Sequence, residues 1–515
     1  WSQADKTELD GTVRTFVGGA VRDVLHPSYQ AWTYVQLIED FNEAVRERQI
    51  QMRACAYLHN MDSSEVIRDG FYEEHVLKAP VFIADEQDQL AAFIKQHVKY
   101  GDASTMYHIE NGRLRPSKDL ADSLVSMING NQEFILLDEQ KLVYERAINL
   151  AKRAATGDKQ VLIVQGGPGT GKSVVAINLL VELIKLEMVC QYVSKNAAPR
   201  NVYAARLAAG RVPGRLRSLF RGSGGYVNTA ANTFGALIVD EANRSTKKSG
   251  LYGNLGENQI KEIINAARLS VFFIDENQRV TWSDIGRKAD IRGFAAELGA
   301  TVTEMELVSQ FRCNGSDGYL AWVDDVLGIR RTANDSLVGL DYEVQVFDSP
   351  VEMRLEIESL NSRNRARLVA GYCWNWVSKN GNDQMDIVIP EFGFEAQWNF
   401  NGGTPWIIDP QSVRQVGCIH TSQGLELDHI GVIIGPDLVV RDGAVMTNPS
   451  ARARSDQSLR GGAALLKTDP ELARARADEI IKNTYRTLMT RGSKSCFIFS
   501  TDPETREYFH ARVDF

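Results

Sequence analysis

No stretch of this chain approaches the roughly 20 consecutive apolar residues that a membrane-spanning helix needs. The longest near-apolar runs, Val161-Leu162-Ile163-Val164 and Val432-Ile433-Ile434, have the length of strands. A helical membrane protein and a membrane partner are therefore not expected. Cysteine is scarce: six residues, at 55, 190, 313, 373, 418 and 496, with no CxxC pair. That excludes a disulfide scaffold and predicts reduced thiols in a cytoplasmic, reducing compartment. The eight histidines are equally scattered, with no zinc spacing. Neither sign of charge dominates, with 58 Lys and Arg against 66 Asp and Glu and a net charge of -8. This balance speaks against a uniformly basic sleeve for nucleic acid and leaves room for a local basic groove. A signal peptide, internal repeats and low-complexity tracts are also missing. What is present is an ordinary globular composition, 43% hydrophobic and 24% charged over 515 positions. That length suits about three domains of ~150 residues. The chain begins at Trp1 rather than Met, so a preceding segment is expected.

The apolar pattern divides the chain near 110 and 340. Residues 1–110 read as a small α/β unit. It has a strand or turn-strand at 16–24 and, after Pro27 sets a turn or first helical turn, a helix from Ser28 to Arg46, with Trp32, Val35, Ile38, Phe41 and Val45 at helical spacing. Strands at 54–58 and 79–83 and a helix at 86–99 follow. Residues 111–340 open with helices at 120–128 and 139–156. Short apolar runs at 160–165, 190–194, 236–240 and 270–275 then alternate with helical stretches at 172–186 and 257–267. Such alternation predicts a parallel sheet covered by helices on both faces. In residues 341–515 the pattern predicts a helix at 365–378, strands at 386–389, 416–419 and 429–434, a helix at 473–490 and a last strand at 495–500. The stretch 436–470 has little periodicity and reads as an excursion or insertion.

Gly166-Gly167-Pro168-Gly169-Thr170-Gly171-Lys172-Ser173 fills every fixed position of the pattern GxxxxGK[ST], between an apolar strand and an apolar helix. Glycines let the backbone wrap a phosphate with its N–H groups inward, and the helix N-terminus adds a favourable dipole. Lys172 reaches the β- and γ-phosphates and Ser173 ligates Mg²⁺ in that arrangement, so ATP and Mg²⁺ are the expected cofactors. Leu237-Ile238-Val239 ends in Asp240-Glu241. After a phosphate loop such a pair supplies a metal-holding carboxylate, Asp240, and a carboxylate that polarises the attacking water, Glu241. Gln278, after the apolar run 271–274, is either a sensor of the γ-phosphate or part of a surface turn. Phosphoryl transfer also needs positive charge against the equatorial oxygens, for which Arg312 and Arg491 are the candidates.

The order of these motifs resembles the superfamily 1 helicase or translocase core. Gln140 matches that family's adenine-contacting glutamine, Gly166 to Ser173 its first motif, Asp240-Glu241 its second and Asp275 to Gln278 its third. Gln310-Phe311-Arg312 resembles the fourth, His420 to Glu426 the fifth, including Gly424 and Glu426 on the nucleotide side, and Thr487 to Gly492 the sixth. More narrowly, the runs 311–320, 371–374 and 418–425 are similar to a bacterial family of unknown function whose ATPase block is shared with Schlafen proteins. The resemblance implies two RecA-like domains, 111–340 and 341–515, with ATP between them and Arg312 and Arg491 as arginine fingers. It implies nucleic acid, DNA favoured over RNA, crossing both domains at Lys195, Asn196, Arg200, Thr421 and Ser422. Lys195 and Arg200 read equally well as surface charges. Stacking platforms would come from Trp374, Trp376, Trp398 or Trp406. One departure stands out: Asn243 occupies the place of the histidine in Asp-Glu-Ala-His, which leaves hydrolysis intact and puts coupling in doubt.

Gln30 and Tyr34 have the spacing QxxxY on the first predicted helix and share one face. This resembles the accessory motif of RecB-like nucleases. His26-Pro27-Ser28-Tyr29-Gln30 is similar to the nuclease-like lead-in of the same bacterial family. The resemblance implies a restriction-endonuclease-like α/β domain over 1–110 whose active-site acid and lysine precede Trp1. An α/β accessory domain packed on the ATPase is the alternative. The function expected overall is an ATP-dependent nucleic-acid translocase or helicase coupled to this domain, in DNA processing or defence against phage. A nucleic-acid-gated ATPase switch or clamp is the alternative, with a homo-oligomer or a defence-system protein left open as partner.

Overall fold

The computed structural model describes residues 1–102, 104–110, 112, 120–128, 134–209, 218–249, 254–309, 317–332, 336–338, 340, 342–362, 364–380, 383–399, 405–422 and 427–513. At the amino terminus, β1 (Asp5–Lys6), β2 (Thr12–Val17) and β3 (Ala20–Leu25) form a three-stranded antiparallel sheet. Its tight hairpin turns through Gly18 and Gly19, both left-handed at φ 59° and 80°, where glycine carries no Cβ penalty. The next helix, α1 (Pro27–Phe41), starts at His26, whose side chain accepts from the Ser28 N–H, with Pro27 in the first turn. Then come α2 (Glu43–Arg48), β4 (Ala56–Leu58), α3 (Glu73–Lys78), β5 (Val81–Ile83), α4 (Gln87–His97) and α5 (Thr105–Glu110), with β4 and β5 paired in parallel. Val13, Met61, Ile67, Tyr72, Val81 and Ile83 make a small separate core.

Near-continuous apolar strands are what a parallel sheet buried on both faces demands. After α6 (Leu120–Ile128) and α7 (Asp138–Thr156), the sheet is built of β6 (Gln160–Gly166), β7 (Cys190–Val193), β8 (Phe220–Arg221), β9 (Phe234–Val239), β10 (Ala267–Ile274) and β11 (Thr301–Leu307), of which the interior four are of this kind and β8 and β11 are the edges. They pair in the order β11-β6-β10-β9-β7-β8, every pair parallel. Residues alternate faces as the pleat requires. Leu162, Val164, Val271 and Phe273 pack with α6, α7, α8 (Lys172–Lys185) and α9 (Ala197–Ala209). Val161, Ile163, Phe272 and Ile274 pack with α10 (Gln259–Ala266) and α11 (Lys288–Glu297). The registry places the carboxyl ends of β6, β10 and β9 side by side, which is where the site residues lie.

A second all-parallel sheet follows α12 (Asp317–Val326), in the order β12-β20-β17-β13-β16. It comprises β12 (Glu343–Val346), β13 (Ala366–Ala370), β16 (Val416–Gly417), β17 (Leu427–Ile434) and β20 (Gly492–Ser500). Its helices are α13 (Pro350–Ser359), α14 (Ile419–Ser422), α15 (Gly462–Thr468), α16 (Pro470–Met489) and α17 (Pro503–Val513), and it carries two hairpins, β14 (Ile387–Ile389) with β15 (Phe394–Ala396), and β18 (Leu438–Arg441) with β19 (Ala444–Thr447). The helix expected over 365–378 is corrected: Ala366–Ala370 is an interior strand of this sheet, all five residues buried. A short apolar run has no periodicity to separate strand from helix, and the aromatic spacing of Tyr372, Trp374 and Trp376 imitated a helical face. Strands β11 and β12, which sequence reading passed over, have mixed polar patterns because they lie at sheet edges. The stretch 436–470 holds the hairpin of β18 and β19 and helix α15. Beyond its hairpin the Ser458 carbonyl accepts from the Trp282 N–H at 2.6 Å, and Gly461 and Gly462 lie against the Trp282 ring. Among the described residues no helix is long and apolar enough to cross a membrane.

Candidate active site

The loop from β6 to α8 is built by two left-handed glycines, Gly169 at φ 77° and Gly171 at φ 81°. A side chain on Gly171 would also run into the Gln140 amide. Lys172 opens α8 and turns its ammonium back onto the loop, donating to the Gly166 and Gly167 carbonyls at 2.7 and 2.6 Å. Thr170 Oγ1 donates to Gly167 O at 3.0 Å. Gln140, on the first turn of α7, donates from Nε2 to Thr170 O at 3.1 Å and accepts from the Leu137 N–H at 3.3 Å. The glutamine and the loop, thirty residues apart in sequence, thus form one structure.

Asp240 lies just beyond β9, 3% exposed. Ser173 Oγ donates to its Oδ2 at 2.7 Å and Tyr192 OH donates to the same oxygen at 2.6 Å, while Oδ1 takes the Glu241 N–H at 2.9 Å. Glu241 adopts a left-handed φ of 53°, a conformation a non-glycine residue holds only where its surroundings impose it. Its Oε2 is buried with no hydrogen-bond partner among the described residues. Burial pushes its carboxyl up to about 7; Asp240 adds to the rise, and Arg244, Arg491 and Lys172 oppose it. A half-neutral carboxyl with an orphaned oxygen beside a phosphate loop is equipped to take a proton from water. The donor set also suits Mg²⁺, which binds through one carboxylate and a hydroxyl and keeps its remaining positions for water and phosphate oxygens.

The remaining motif residues connect outward from Glu241. Asn243 donates from Nδ2 to the backbone carbonyl of Gln278 at 3.0 Å, which ties the second motif to the third. Gln278 is 6% exposed, so it is not part of an open surface turn. Arg244 lies against Asp284 at 3.4 Å and donates to His420 Nδ1 at 3.3 Å across to the second sheet's α14. Burial, reinforced by Arg244, depresses His420 to about 3, so it stays neutral. Gly286 backs onto the Ala242 carbonyl and the Asn243 backbone so closely that a Cβ has no room. Gly286→Ala is therefore expected to destabilise the chain by about 3 kcal/mol, since backbone cannot move aside as a side chain can. A thermal melt unchanged from wild type would show that the loop relaxes freely.

The sequence-predicted nucleic-acid residues divide. Lys195 faces Asp284 at 3.8 Å, and burial lowers its ammonium to about 8. Asn196 accepts the Ala198 N–H at the start of α9, and Arg200 donates to the Asn196 carbonyl. Thr421 and Ser422 both donate to Cys418 O, at 2.9 and 3.1 Å, and Ser422 is fully buried. These contacts give four of the five a local structural task. Trp398 and Trp406, offered as stacking platforms, are 0% and 6% exposed and belong to the core. Trp374 is partly buried against the core of the second sheet. Arg491, 2% exposed after α16, donates from Nε to Thr487 O at 3.1 Å and is near enough for its charge to act on Glu241. Arg312, Gly424 and Glu426 lie outside the described residues. Gln30 and Tyr34 do share a face, with Gln30 Nε2 donating to Tyr34 OH at 3.0 Å. Sequence reading missed Tyr192, whose signal was a hydroxyl inside a buried strand, and the Arg244–Asp284–His420 group, which is joined across 176 positions and left no local pattern.

A glycine-built loop between a buried parallel strand and a helix, answered by a carboxylate on a neighbouring strand end, defines a P-loop protein of the parallel α/β class. Residues 159–502 match the family described as Schlafen group 3, DNA/RNA helicase domain, and the chain belongs to that family. The match runs from just before β6 to just after β20. An uncharacterized protein of Saccharomyces cerevisiae is 23% identical over 413 residues, which cover 72% of this chain and 89% of that protein. Among solved structures, a Saccharomyces cerevisiae complex of Dbp5 with Nup159, Gle1, IP6 and ADP matches over 76% of this chain and 90% of the other at 11% identity. With a TM-score of 0.29, that likeness carries no argument about this chain.

Proposed function

We propose that the chain is an ATP-hydrolysing enzyme whose turnover is coupled to movement on nucleic acid, a helicase or translocase. The observation that carries the hydrolytic half is Glu241: buried, lifted to about 7 and with a free oxygen, next to Asp240 and across from Lys172. In this reading Lys172 binds the β- and γ-phosphates, and Gln140 holds the adenine edge. Glu241 takes the proton of the attacking water, and Arg491 and Arg312 meet the charge that spreads over the transferred group. A bound Mg²⁺ supplies Lewis-acid stabilisation of the phosphate oxygens, held by Ser173 and Asp240. The nucleic-acid half is supported by membership in a DNA/RNA helicase domain family. Asn243 and the Arg244–His420 bond support the coupling, since they join the hydrolytic carboxylates to Gln278 and to α14.

The test is steady-state ATP hydrolysis with single-stranded DNA of graded length, matched RNA, and no polymer, at stated salt. Turnover is expected to rise with strand length on one polymer, which also names the track. Stimulation independent of length would favour a clamp, and identical turnover in all three arms would remove the nucleic-acid coupling.

A further inference from the structure

The amino-terminal segment grips the first parallel sheet through one short stretch, residues 136–146. Tyr29 OH donates to Leu136 O at 2.9 Å. Gln30 Nε2 and Tyr34 OH both donate to Asp138 Oδ1, at 3.4 and 3.3 Å. Lys141 donates to Asp10 Oδ2 at 3.0 Å and lies over the Tyr29 ring. Arg146 Nη2 donates to Asp23 Oδ2 at 3.1 Å. Inside this stretch sits Gln140, the residue that bonds the P-loop at Thr170. Two positions before it, Asp138 has a left-handed φ of 37°, which strains any side chain with a Cβ and is tolerated best by Asp and Asn. The amino-terminal contacts thus fall on the same first turn of α7 that carries Gln140.

We propose that Tyr29, Gln30 and Tyr34 are positioning residues for the nucleotide site: by fixing Asp138 and the first turn of α7, they hold Gln140 against the P-loop. The QxxxY pair then serves to tie the amino-terminal segment to nucleotide binding. This rests on the P-loop reading given above. Because coupling between sites is reciprocal, nucleotide must tighten the amino-terminal contacts by the same factor that those contacts tighten nucleotide.

The experiment uses the full chain, a fluorescent ATP analogue for affinity, KM and kcat for turnover, and hydrogen exchange over residues 27–41 with and without nucleotide. Asp138→Ala loses both the acceptor and the tolerance of positive φ, so affinity is expected to weaken and KM to rise about 10-fold, with kcat changed less than about 2-fold. Asp138→Asn keeps both properties and is expected to bind within about 2-fold of wild type. The combined Tyr29→Phe and Tyr34→Phe variant keeps the rings and loses three hydroxyl bonds, to Leu136, to Asp138 and from Gln30, and is expected to weaken binding about 5-fold. Nucleotide is expected to slow exchange over 27–41 in wild type and to lose that effect in Asp138→Ala. If wild type binds the analogue and all variants bind it equally well, the positioning role is wrong while the P-loop reading stands. Failure of wild type itself to bind would overturn both. Should Asp138→Ala melt early, the phenylalanine variant decides.

Discussion

Glu241→Gln is expected to keep its nucleotide affinity and lose hydrolysis by about a hundred- to ten-thousand-fold, the contribution of a positioned general base. Glutamine preserves size and the buried position but cannot accept the proton of the attacking water. The same assignment fixes a pH dependence. Burial raises the Glu241 carboxyl to about 7, so below that value it is protonated and unable to act as base. In wild type, kcat/KM is therefore expected to climb as pH rises through about 7 and then level off. In Glu241→Gln the residual rate has no such limb. Steady-state hydrolysis across pH 5.5 to 8.5, on roughly that range, checks both statements. If Glu241→Gln turns over normally, or keeps the limb, another residue activates the water.

The parts of this molecule that sequence revealed are those encoded within a few residues. Gly166 to Ser173 specify their own conformation, because positive φ at Gly169 and Gly171 and the helix start at Lys172 are local demands. The buried strands β6, β9 and β10 were legible for the same reason: each contains a four-residue apolar run, 161–164, 236–239 and 271–274, that leads toward a chemistry-bearing residue. Legibility fell off where tertiary context decides. Ala366–Ala370, only five residues with Arg367 among them, has no period of its own and is a strand because β17 and β16 flank it. Tyr192 bonds Asp240 across 48 positions, and although a hydroxyl inside a buried strand calls for a partner, nothing local in β7 says which one. Asn196, Thr421 and Ser422 have polar side chains at the right places in the motifs, yet they bond the backbone of their own turns, a competition that composition does not display. The tie between the amino-terminal segment and α7 was hidden for a related reason. QxxxY is a spacing on one helix, whereas its partner Asp138 lies 104 and 108 positions away.

Arg491→Ala carries the largest expected effect, because it asks whether the second sheet takes part in the chemistry of the first. Arg491 follows α16 and immediately precedes β20, while Glu241 follows β9, and the charge of the first acts on the carboxyl of the second. An arginine supplied to the transferred phosphoryl group is worth about 10³- to 10⁵-fold in turnover, and loss of that order is expected for alanine, with nucleotide affinity changed far less. Arg491→Lys keeps the charge and loses the planar fork, so it is expected to fall between the two. The charge argument gives an independent readout with a definite sign. Arg491 lowers the Glu241 carboxyl, so its removal must move the rising limb of the pH profile to higher pH, whereas lysine must leave the limb near its original place. A merely structural defect would slow turnover without shifting the limb, and a thermal melt run alongside registers it directly. Full turnover in Arg491→Ala would mean that hydrolysis belongs to the first sheet alone, and domain closure would then have no route through this residue to the rate.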